Sequence, residues 1–152
     1  MRALLFALLP FLVAVLGAAG PASAAERMPG PVWGQVTDVI DGDTIEVKLM
    51  VWLDQEIVTR VRIDGIDTPE MRGKCQREKD MAEQARQLTE QLLSQPEIAL
   101  HDIQHDKYGG RVRARVITRS GQDVGQSLIE AGLARPYRGA ARQPWCSVAQ
   151  AP

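Results

Sequence analysis

The chain has 152 residues, 45% of them hydrophobic, with 18 basic against 19 acidic side chains. That length suits one compact domain. The near balance of charge excludes a strong global field drawing the protein to nucleic acid, so any anionic partner must be held by local clusters.

Residues 1–24 have the layout of a cleaved secretory signal peptide: a single charge at Arg2, an apolar run from Ala3 to Ala19, then Ala22-Ser23-Ala24. The apolar run is short for a spanning helix and is interrupted by Pro10. On this reading the protein is exported, to the periplasm or the medium, and keeps no stable membrane association once the segment is removed. The remaining single domain, 25–152, carries 17 basic against 19 acidic residues, a net charge of −2. Cys75 and Cys146 match no zinc spacing. In an oxidising compartment they are expected to form a disulfide.

From Val32 the pattern is β. Val36 to Val39 leads into Asp41-Gly42, a hairpin signal, after which Ile45, Val47, Leu49 and Val51 alternate with polar residues. A turn near Asp54-Gln55 opens a third strand, in which Val61 and Ile63 alternate with Arg60, Arg62 and Asp64. Gly65 ends it and Pro69 cannot donate to a ladder, which leaves Asp67, Thr68 and Glu70 where a strand opens into a loop.

The period then changes. Met81, Ala85, Leu88 and Leu92 recur at three and four residues, predicting an amphipathic helix over 77–93. Ile98 and Leu100 mark a fourth strand, and Val112, Ala114 and Val116 a fifth, whose other face carries Arg111, Arg113 and Arg115. Between them lies the charged turn Asp106-Lys107-Tyr108-Gly109-Gly110. Asp123 with Gln126 resembles a capping box for a short helix bearing Val124, Leu128 and Ile129, which Gly132 stops. An irregular tail is expected from about 135, pinned by Cys146. Five strands with a helix after the third and another after the fifth predict an α+β, mainly β fold. An OB-fold barrel with two to three flanking helices is the simplest such arrangement.

Asp43 and Asp67, with a backbone carbonyl, offer an all-oxygen site for Ca²⁺ or Mg²⁺; alternatively Asp41 and Asp43 only shape their turn. Glu70 either orients and deprotonates a water or is simply solvated. Arg62 and Arg111 have the planar donors to grip a phosphate from two sides, or they form ordinary ion pairs. Tyr108 either stacks on a base or packs against its loop. His101 and His105 lack a third zinc ligand in spacing.

Taken together, Asp41-Gly42-Asp43-Thr44, Arg62 with Asp67-Thr68-Pro69-Glu70, and Asp106-Lys107-Tyr108-Gly109-Gly110-Arg111 resemble, in order and spacing, the staphylococcal nuclease (thermonuclease) family. The likeness continues through Leu128 to Ala134. The resemblance implies a five-stranded OB barrel and a Ca²⁺-dependent phosphodiesterase, endonuclease or exonuclease, acting on DNA and RNA and favouring single-stranded or denatured polymers. It implies Asp43, Asp67 and the Thr68 carbonyl as Ca²⁺ ligands, and Glu70 as the base. Arg62 and Arg111 would bind the scissile phosphate, with Asp106 near the metal and its waters, and Lys107 and Tyr108 on the nucleotide. The product would carry a 3′-phosphate, and a monomer is expected. The alternative is a non-catalytic OB module that binds nucleic acid or protein.

The chain departs from the family pattern in places. Two glycines precede Arg111, so Arg113 is a possible stand-in. The loop after Glu70 is shorter than in the prototype and holds Cys75, and Tyr137 alone represents the tyrosines after the last helix. The slightly acidic balance implies weaker, less salt-sensitive binding to long polymers than the strongly basic prototype would show.

Overall fold

The structure, a computed structural model, describes residues 26–146. The expected signal peptide therefore lies outside the described residues. In chain order the elements are β1 (Arg27–Met28), β2 (Val32–Asp41), β3 (Thr44–Trp52), β4 (Gln55–Ile63), β5 (Ile66–Asp67), α1 (Gln76–Leu92), β6 (Glu97–His105), β7 (Arg111–Thr118), α2 (Val124–Glu130) and β8 (Arg135–Pro136).

The long strands close on themselves. β2, β3 and β4 form an antiparallel meander, β4 runs parallel to β7, β7 is antiparallel to β6, and β6 returns antiparallel to β2. This five-stranded barrel with two helices is the OB-like α+β architecture expected. Closure pairs both sides of every barrel strand, removing the unpaired edges that an open sheet would present. Strand alternation explains the core: Ile45, Val47, Val61, Ile63, Ile98, Leu100, Ala114 and Val116 point inward and are buried. Val124 and Leu128 of α2 plug one end.

The helix α1 spans the predicted segment to within one residue at either end, and of the expected stripe Ala85 is buried in the core while Leu88 and Leu92 pack against it. Glu78, Ala82, Ala85 and Thr89 are buried along it, while Met81 is only half-buried. Small residues are needed because α1 lies directly on the β2–β3 turn. Thr89 Oγ1 donates to the Gly42 carbonyl at 2.9 Å, and a Cβ on Gly42 would stand 2.7 Å from the Cβ of Ala85. The turn's glycine thus serves a close helix approach.

The capping box at α2 is half formed. Asp123 Oδ1 accepts from Gln126 N at 3.1 Å, but the Gln126 side chain donates to Glu130 instead of reaching back. The tail expected to be irregular from about 135 begins as a strand. Arg135–Pro136 pairs with Ile66–Asp67, and Tyr137 N donates to the Gly65 carbonyl at 2.8 Å. Gly65, at φ +81°, makes the reversal that brings β5 out of β4.

Cys75 and Cys146 are bonded across a sequence separation of 71. This ties the tail to the loop before α1. On the chain-entropy account the Cys75→Ala/Cys146→Ala double variant should lose about 4 kcal/mol of unfolding free energy. Urea denaturation measures it, and a loss below about 1 kcal/mol would show that the tail and loop are already held by other contacts.

Candidate active site

The β2–β3 turn, the exit of β4 and the start of β7 converge at one end of the barrel. Asp43 sits at the turn under α1, where its backbone N–H donates to Asp41 Oδ1 at 3.1 Å and its carbonyl accepts from Ile63 N at 2.8 Å. Its carboxylate accepts from Thr44 Oγ1 at 3.1 Å and from Thr68 N at 3.4 Å. Arg62, opposite Thr44 on β3 and Arg113 on β7, is buried in the same place. Its guanidinium pairs with Asp43, donates to the Ile66 carbonyl at 3.0 Å and lies 3.9 Å from Asp67 Oδ1.

Asp67 and Thr68 are buried, whereas Glu70 is exposed one turn further along. The Glu70 carboxylate meets the guanidinium of Arg142, whose Nε stands 2.9 Å from Asp67 Oδ1. On the far wall Arg111 pairs with Asp106, and its guanidinium carbon lies 4.9 Å from the centre of the Tyr108 ring. Lys107 Nζ lies 5.0 Å from the same centre. Arg113 also reaches the cleft, but it is engaged by Asp64 at 3.0 Å and Gln104 at 3.2 Å. These walls border one open cleft of about 640 Å³, which Asp67 does not itself line.

The structure therefore brings together Asp43, Arg62, Thr68, Glu70, Asp106, Lys107, Tyr108 and Arg111, with Asp67 immediately beside them. Both arginines weighed for the second phosphate contact, Arg111 and Arg113, border the cleft. Two further side chains belong here. Asp41 lines the cleft as well as shaping its turn, a signal already present in the Asp-Gly-Asp sequence. Arg142 carried no sequence signal, because it approaches Glu70 from 72 positions away in a segment without periodicity.

The electrostatics are those of an acid-rich pocket. Burial, and then the neighbouring Asp43 carboxylate, push Asp41 up to about 6. Burial also raises Asp67, against the opposing pull of Arg142, Trp145 and Arg62. Asp67 Oδ1 is a buried acceptor with no aligned hydrogen bond, despite its nearby guanidinium groups. Asp43 and Asp67, both beside Arg62, with the backbone at the adjoining Thr68 offer oxygen donors alone, the chemistry of a hard divalent cation, and the orphaned Asp67 oxygen fits one. By contrast, the cluster of Cys75, Glu78 and Cys146 offers no thiolate ligand, since its sulfurs are bonded to each other.

An OB barrel with carboxylates and arginines facing across a cleft at one end describes a phosphate-handling domain. Residues 60–148 match the family described as staphylococcal nuclease homologue. The chain belongs to that family. It is 30% identical over 106 residues to an "Uncharacterized endonuclease" of Escherichia coli, an alignment covering 70% of this chain and 61% of the relative. The same figures hold for the counterpart in Escherichia coli O157:H7. It is also 32% identical over 133 residues to "Protein ParB" of Escherichia coli, covering 83% of this chain and 66% of that one. The chain thus spans about three fifths of the length of the endonucleases it matches. The family match takes in Arg62 to Glu70 and Asp106 to Arg111 but starts after the Asp41–Thr44 turn.

Because Arg62 is a buried cation between buried acids, Arg62→Met should cost about 3–5 kcal/mol of unfolding free energy, the penalty of leaving a buried partner charged and alone. Urea denaturation tests it, and a variant as stable as the parent would contradict the pairing.

Proposed function

We propose that this chain is an exported, calcium-dependent nuclease that hydrolyses phosphodiester bonds of DNA and RNA, favouring single-stranded or denatured polymers and leaving 3′-phosphate ends. The reading includes removal of residues 1–24, a single domain over 25–152, and a monomer. The observation that carries it is Arg62, buried beside Asp43 and Asp67 and lining a cleft that Glu70 and Arg111 also line. Family membership and the endonuclease names of two relatives support the same class of chemistry.

In this reading Asp43, Asp67 and the Thr68 carbonyl hold the Ca²⁺. The bound ion supplies charge neutralisation for the phosphate and its developing negative charge. Arg62 and Arg111 grip the non-bridging phosphate oxygens from two sides and stabilise the charge that grows on them. Asp106 holds the Arg111 guanidinium in place across the cleft. Glu70 orients a water in line with the scissile bond and accepts its proton as the oxygen attacks phosphorus. The P–O5′ bond then breaks, and the departing 5′ oxygen takes a proton from solvent. Tyr108, half exposed and backed by Arg111 and Lys107, offers its ring to a base.

The test is cleavage of denatured DNA by the oxidised protein in millimolar Ca²⁺ and in chelator. Cleavage should require Ca²⁺, produce 3′-phosphate ends, and fall roughly 100-fold or more with Glu70→Gln, as expected on losing a positioned base. Cleavage in chelator, or full activity in the Glu70→Gln protein, would overturn the reading.

A further inference from the structure

The tail after β8 is held at its far end, at Pro144, Trp145 and Cys146. Cys146 is bonded to Cys75. The Arg135 guanidinium carbon lies 3.7 Å from the centre of the Trp145 ring, and Arg135 Nη1 also donates to the Pro144 carbonyl at 3.2 Å. Trp145, only 8% exposed, packs its indole into the structure. Between β8 and these anchors runs the segment that presents Arg142 to Asp67 and Glu70. A long, exposed arginine ordinarily contributes little in an ion pair, because ordering it costs side-chain entropy. Here the backbone on both sides is already fixed, so much of that cost is met by the anchors.

Glu70 needs such a partner. Its side chain is 54% exposed, and among the described residues Arg142 is the one group that hydrogen-bonds its carboxylate. A base on an exposed loop spends little time in the orientation that the reaction needs, and a misplacement of about 1 Å can cost roughly 100-fold in rate. A planar guanidinium can address two carboxylates at once through different nitrogens, Nε toward Asp67 and Nη1 toward Glu70. That sets one guanidinium between the candidate base, which it hydrogen-bonds, and a candidate calcium ligand, which it faces as a charge.

We propose that Arg142 is a positioning residue of this site, delivered by the disulfide-anchored tail to hold Glu70 in register with Asp67. The proposal rests on the calcium-dependent nuclease reading. It carries a consequence of opposite sign for the metal. A guanidinium 2.9 Å from Asp67 Oδ1 repels a divalent cation and competes for the same oxygen, so Arg142 weakens calcium binding while it speeds turnover.

The experiment compares wild type, Arg142→Ala and Arg142→Lys, all oxidised, by steady-state cleavage of denatured DNA and by calorimetric titration with Ca²⁺ alone. Arg142→Ala should lower kcat about 10-fold or more with KM changed less than about threefold, and should tighten calcium binding by roughly fivefold. Arg142→Lys keeps the charge without the fork, so it should keep wild-type calcium affinity and still lose kcat. A residue that merely packs the tail would weaken calcium binding and turnover together on removal, and that result overturns the proposal. Unchanged kcat and calcium affinity in Arg142→Ala, from a wild type that cleaves, overturns it while leaving the nuclease reading intact. A wild type that binds calcium and does not cleave overturns the nuclease reading, and this role with it.

Discussion

The constraint on which the site depends is the burial of Arg62. A guanidinium with so little exposure survives only if its donors are used, and they are: Asp43 takes one, the Ile66 carbonyl another, and Asp67 lies within Coulomb range. Those three partners come from the β2–β3 turn and from the short strand that follows β4. Arg62 therefore fixes the distance between the two carboxylates proposed to hold calcium. It also keeps a buried positive charge between Asp43 and Asp67, which offsets part of the acids' repulsion.

Around that charge the barrel and helices act as a vice. α1 presses on the β2–β3 turn through Ala85 and Thr89, so the backbone that presents Asp43 is clamped from outside as Arg62 clamps it from inside. β8 clamps the other carboxylate by pairing Arg135 with Asp67. The disulfide then couples the two regions, since it joins the loop that starts α1 to the tail that follows β8. Rigid supports of this kind hold functional side chains where the chemistry needs them more closely than a free loop would. Glu70 is the exception, an exposed side chain on a loop, and the tail supplies what the barrel does not.

Much of this was legible in the sequence because it follows from period. Val61 and Ile63 against Arg62 and Asp64 define a strand with one apolar face, and the same alternation marks β3, β6 and β7, so the barrel strands could be placed. The Asp-Gly-Asp turn and the Asp67 to Glu70 stretch stood out as acids at strand ends. What remained hidden depends on proximity that no local pattern encodes. Helix α1 buries Ala82 and Thr89 in preference to the larger Met81 because the turn comes close beneath it. The pairing of Arg135–Pro136 with β5 and the reach of Arg142 to Glu70 join segments about 70 residues apart, through a tail rich in proline and arginine and without periodicity. The Cys75–Cys146 bond was the one long-range contact that chemistry could anticipate, because two unmatched cysteines in a chain read as exported have few other fates.

The central claim is that the acids gathered by Arg62 form a calcium site, and the most direct measurement is calorimetric titration of Ca²⁺ into the oxidised protein and into its Asp43→Asn variant. The account predicts a single site in the parent protein and a loss of measurable binding in Asp43→Asn, with the variant still folded. Equal calcium affinity in the two proteins, or no binding in either, would contradict it.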